Sequence, residues 1–265
     1  MEDREFYVPY IEGSLGSKTK RVLKRFTIIA IGLIIIAAVV FSLVQRPFKN
    51  STFELTSTTK ITGTFHESPY PMLRVKVADN SYKNILLLGF GKSSANPFLE
   101  KLLAEVPHLN GRRLTIEGNL IYYNGKTLLQ ITDEEKVILE NQKGNTPVKT
   151  ALAEMTLQGE IIDPKCYFGV MKPGYGKIHR SCAVRCISGG IPPVLATTDD
   201  NNISEYYLLT DLNGNAINKD VLPYVGQPSE MKGTVEIMED WYILKLDIEN
   251  LTVISEASNI YSTDI

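Results

Sequence analysis

The sequence predicts an all-β-dominated protein with one N-terminal transmembrane helix and two copies of one small β-domain. Three observations predict it. Residues 26–45, FTIIAIGLIIIAAVVFSLVQ, carry no charge over twenty positions, the length a helix needs to cross a hydrocarbon layer of about 30 Å. Past residue 56, short alternating or continuous apolar runs recur between turn signals. Residues 111–138 then align with 226–254, Gly118 falling on Gly233.

The apolar segment comes first. The apolar core of a cleaved signal peptide is shorter, about 7–15 residues, and ends at a small-residue cleavage site; here Arg46 and Pro47 follow the run. Lys18, Lys20, Arg21, Lys24 and Arg25 crowd its N-terminal side, against Arg46 and Lys49 on the other. The positive-inside rule therefore places residues 1–25 in the cytoplasm as a short tail and the bulk of the chain outside. The expected location is a plasma (inner) membrane, single-pass, with a periplasmic or extracytoplasmic main body and the lipid bilayer as partner of residues 26–45.

A linker, 46–56, leads to the first domain, 57–139. ITGTFH (61–66) and MLRVKVAD (72–79) alternate, and KNILLLG (83–89) reads as a strand buried on both faces. PFLEKLLAEV (97–106) has helical spacing. RLTIEGNLIYY (113–123) and KTLLQITDEEKVI (126–138) form a hairpin about Asn124-Gly125, a strong two-residue turn signal. The order strand, strand, strand, helix, strand, strand resembles the OB-fold, a five-stranded barrel with a helix between its third and fourth strands. That resemblance implies two tandem OB-like five-stranded barrels. A polar linker, 140–152, joins them, and the second spans 153–256 before a tail, 257–265.

In the second copy ITGTFH is matched by LQGEII (157–162), and EVPHLNG (105–111) by DVLPYVG (220–226). The paired glycines are 55 residues apart in the first copy (Gly63, Gly118) and 74 in the second (Gly159, Gly233), an excess of 19. Most of the excess falls in 163–195, between the first two strands of the second barrel. That insertion holds all three cysteines of the chain, Cys166, Cys182 and Cys186, together with His179.

The spacing C-x12-H-x2-C-x3-C admits several chemistries. Three thiolates and an imidazole make a Cys3His set suited to zinc, or a soft site for copper to which Met171 adds a thioether. A disulfide from Cys166 to Cys182 or Cys186 would staple the insertion and leave one thiol over. Lys165, Lys172, Lys177, Arg180 and Arg185 surround the cysteines, a field that favours thiolate for redox work and would attract an anionic ligand. CAVRCISGGIPP (182–193) resembles the dinuclear copper loop of cytochrome oxidase subunit II. Cys182 and Cys186 fall on its bridging cysteines, while Gly190 and Pro193 stand where its second histidine and its methionine belong.

No phosphate loop, nucleophile elbow, HExxH or CxxCH occurs, which argues against a free-standing hydrolase and against covalent haem. A net charge of −2 gives no general attraction to nucleic acid. The expected function is an accessory or structural subunit of a membrane oxidoreductase or respiratory complex, or a metal-handling factor for one. Its expected partners are other membrane or periplasmic proteins. The competing expectation is a non-catalytic interaction module whose cysteine loop is a disulfide-stapled docking surface.

Overall fold

The computed structural model describes residues 16–44, 51–106, 108–133, 136–171, 173–199 and 204–254. Most of the N-terminal tail, the start of the first linker with Arg46 and Lys49, and the C-terminal tail lie outside them. Helix α1 (Ser17–Val44) forms a unit of its own and is the one described helix long and apolar enough to cross a membrane; it buries none of its side chains within the chain. It begins nine residues before the uncharged run, so Lys18 to Arg25 form its first turns.

The remaining unit is built mainly of strands. Its first half contains β1 (Ser51–Phe53), β2 (Thr59–His66), β3 (Met72–Ala78), β4 (Ser81–Leu88), helix α2 (Asn96–Glu105), β5 (Arg112–Tyr123), β6 (Lys126–Ile131) and β7 (Val137–Lys143). Its second half contains β8 (Thr150–Ile162), helix α3 (Gly176–Ser188), β9 (Val194–Thr198), β10 (Ser204–Thr210), β11 (Pro228–Met238) and β12 (Trp241–Val253).

Each half closes into a five-stranded barrel with the same connectivity. In the first, β2 pairs antiparallel with β3 and β5, β3 with β4, and β5 with β6, and a parallel β4–β6 pairing closes the ring. In the second, β8 pairs antiparallel with β9 and β11, β9 with β10, and β11 with β12, closed by a parallel β10–β12 pairing. This is the arrangement expected of tandem OB-like barrels.

The matched glycines sit at matched crossings. A Cβ on Gly63 or Gly159 would collide with the carbonyl of Arg74 or Ala196 on the following strand. On Gly118 or Gly233 it would collide with the carbonyl of Gln130 or Lys245 on the last strand. Close backbone approach at a barrel corner is what keeps glycine in a strand.

Three details differ from the sequence reading. β6 ends at Ile131, before the acidic run that begins at Asp133, and the chain resumes as β7 on the edge of β5 rather than continuing to residue 138. The stretch read as a linker, 140–152, supplies strand residues at both ends, in β7 and β8. Between β10 and β11 the place of α2 is taken by a short 3₁₀ turn, Leu222–Tyr224.

The strands that read as continuous apolar runs are buried on both faces. Ile85 and Leu87 point into the first barrel's core, while Leu86 and Leu88 enter a second core shared between the barrels. Their counterparts divide likewise: Tyr207 and Leu209 fill the second barrel, and Tyr206 and Leu208 enter the shared core. Polar contacts cross the same seam. The Tyr70 hydroxyl donates to the Leu209 carbonyl (2.6 Å), Trp241 Nε1 donates to the Asn84 carbonyl (2.9 Å), and Arg74 pairs with Glu239 (2.5 Å).

Candidate metal centre

The insertion leaves β8 at Asp163 and returns at β9, between the first two strands of the second barrel as the length difference predicts. It is not an open loop. Residues Cys166–Val170 form one wide π-helical turn, and Gly176–Ser188 form α3. The H-x2-C-x3-C spacing is therefore a helix face. His179, Ala183, Cys186 and Ile187 are the buried residues of α3, with Cys182 half-buried beside them. Ala183 and Ile187 anchor this face in the second barrel's core, next to Val221 and Val225.

The opposite wall is the wide turn, and Asp163 sets it. Its Oδ1 accepts the backbone N–H of Lys165 (2.9 Å) and of Cys166 (3.3 Å), so the carboxylate caps the turn and fixes the direction of Cys166. Phe168, fully buried, pins the turn in the shared core, stacked with Tyr123 and edge-on to Tyr206.

The first barrel supplies the third wall. Lys92 Nζ donates to Cys182 Sγ at 3.2 Å. Lys165 Nζ donates to the carbonyls of Gly89 (2.9 Å) and Gly91 (2.7 Å). Gly189 lies so close to the Lys92 carbonyl that a Cβ there would collide with it, and its own carbonyl accepts the Ser94 N–H at 2.9 Å.

These walls bring donor atoms together in two overlapping trios. The ligand atoms of Cys166, His179 and Cys182 lie within 4.8 Å of one another, and so do those of Asp163, Cys166 and Cys186. The four residues expected to form one Cys3His set are thus divided between two trios that share Cys166. Asp163 joins as a donor that the spacing of cysteine and histidine did not point to. Its signal in the sequence was its place three residues before Cys166, where an aspartate caps a turn.

The residues present fit a cation. Asp163 Oδ2 and His179 Nε2 are buried polar atoms without a hydrogen-bond partner, in side chains 0% and 3% exposed. A buried polar group left unpaired costs about 1–3 kcal/mol, and a coordinated metal ion would remove that cost. Burial holds His179 below the usual imidazole pKa, although Asp163 works against it, a direction that favours the coordinating neutral ring. The hydrogen bond with Cys186 and then burial push the Cys166 thiol upward. Lys92 is held above the usual lysine value chiefly by its hydrogen bond to Cys182. All three cysteines are free thiols.

The other predicted site residues are scattered. Lys165, expected among the anion-attracting cations, is buried, with its ammonium turned onto two carbonyls. Arg180 is tied to the Pro223 carbonyl at 3.0 Å. Lys177 and Arg185 are exposed, Met171 is exposed on the surface, and Lys172 lies outside the described residues. Lys92 had no signal in the sequence, because it reaches the site from the other barrel. No known family, curated protein or solved structure matches this chain.

Proposed function

We propose that this protein is a membrane-anchored, extracytoplasmic metal-binding factor that serves a membrane oxidoreductase as an accessory subunit or a handler of its metal. One observation carries the reading: two thiol sulfurs and one imidazole nitrogen, from Cys166, Cys182 and His179, converge within 4.8 Å at the seam of two locked barrels. Two sulfurs and a nitrogen suit zinc, and equally Cu(I). Such a set leaves room for a further ligand, as a site that passes its ion on requires. The basic flank of α1 supports the inward orientation of the N-terminus. The bilayer tether and the two-barrel surface would keep the site near its client.

The second reading, a non-catalytic interaction module with a stapled insertion, draws on the closeness of the Cys166 and Cys186 thiols, which share a hydrogen bond. Elemental analysis with thiol counting on the full chain, extracted in detergent without chelator, separates the two. About one or more equivalents of zinc or copper, reduced in Cys182→Ser, supports the metal reading. No metal, with two cysteines oxidised and one free, sinks it.

A further inference from the structure

We propose that the insertion holds two zinc-class divalent cations bridged by the Cys166 thiolate, an outer one on Cys166, His179 and Cys182 and an inner one on Asp163, Cys166 and Cys186. This rests on the metal reading above and extends it to a second position.

The geometry of α3 separates the two positions. His179 and Cys182 are one turn apart, and Cys186 lies one turn further, about 6 Å along the axis. Cys166, on the facing turn, reaches both levels, because its sulfur is within 4.8 Å of every other donor in each trio. A thiolate has lone pairs enough to bind two ions. In a tetrahedral zinc site with bonds of about 2.3 Å to sulfur, two sulfurs stand about 3.8 Å apart, so each trio needs only a small contraction.

The inner position carries the stronger demand for charge. Asp163 is fully buried, its Oδ1 is used by two backbone N–H groups, and its Oδ2 makes no hydrogen bond, with the Cys166 thiol its neighbour. Lys165, whose charge lies near, spends its ammonium on the carbonyls of Gly89 and Gly91. A buried carboxylate with an idle oxygen needs a cation. Asp163 and three thiolates would carry four negative charges, of which the ammoniums of Lys92 and Lys165 offset two, so a net negative charge remains to draw cations. The carboxylate selects zinc at the inner position over Cu(I), which prefers sulfur and nitrogen.

The test is a zinc titration of the full-length chain in detergent, with cysteines reduced and metal stripped, read by native mass spectrometry. Two equivalents are expected. Asp163→Asn, which keeps the Oδ1 cap, and Cys186→Ser should each leave one, His179→Ala should leave one, and Cys166→Ser should abolish both. Circular dichroism checks that each variant is folded, and should Asp163→Asn fail, Cys186→Ser gives the same readout. One equivalent in the wild type, or two that survive both Asp163→Asn and Cys186→Ser, overturns the second position alone. No bound zinc overturns it, and no Cu(I) in a parallel titration of the same reduced chain overturns the metal-binding function with it.

Discussion

The first barrel closes on β2 to β6 and the second on β8 to β12 with the same pairings, but different helices pack into their cores. In the first, α2 lies between the third and fourth strands and buries Leu99. In the second, that connection shrinks to a 3₁₀ turn, and α3 enters from between the first and second strands. The first barrel thus shows what the fold needs, and the second shows what has been added. The addition is not a pendant loop. It packs Phe168 into the shared core, and its lysine, Lys165, holds the first barrel's Gly89–Gly91 loop. One segment therefore joins the barrels and builds the donor cluster.

The first way to break the comparison is to empty the wedge. Phe168→Ala should cost about 3–5 kcal/mol in a denaturant titration, because Phe168 is fully buried among Tyr123, Tyr206 and Trp241. A loss under 1 kcal/mol would show the insertion to be dispensable for packing. The second way tests the equivalence itself. Gly118→Val and Gly233→Val place a Cβ against a neighbouring strand's carbonyl at the same corner of each barrel. Each should cost about 3 kcal/mol, the upper end for an overpacked site, and a large difference between them would break the symmetry.

A smaller effect is expected at the tether. Lys165→Met keeps the volume and strands the carbonyls of Gly89 and Gly91, at about 1–3 kcal/mol; hydrogen exchange in residues 89–94 should rise with it. Unchanged exchange there would mean that the lysine does not hold the loop. The smallest effect belongs to the first barrel alone. Burial, then Arg74 and Lys149, lowers His66 from 6.5 to about 4. The unfolded chain thus binds a proton that the folded chain refuses, so stability falls as pH drops from about 6.5 to 4 and levels off below. With discount for solvent screening, the loss is about 1–2 kcal/mol, and His66→Gln should flatten that part of the pH–stability curve.

Much of this was legible in the sequence because it rests on local rules. Gly63, Gly118, Gly159 and Gly233 mark crossings that only glycine allows. The Asn124-Gly125 turn carries φ of +46° and +81°, as a two-residue hairpin demands. ILLL (85–88) and YYLL (206–209) are apolar on both faces because the barrels pack against each other through these strands. The length difference points to an insertion in this stretch, yet its helix is hidden by the glycines and prolines around it, although His179, Cys182, Cys186 and Ile187 have helical spacing. Asp163 was overlooked because its role depends on two backbone N–H groups. Lys92 comes from 90 residues earlier in the chain, a separation no local pattern spans.

The most direct test of the metal site is X-ray absorption at the zinc edge on the full chain loaded in detergent. Sulfur at about 2.3 Å together with nitrogen or oxygen at about 2.0–2.1 Å is expected, with the sulfur signal reduced in Cys182→Ser. A shell of nitrogen and oxygen alone, unchanged by that substitution, would contradict a centre built on Cys166, His179 and Cys182.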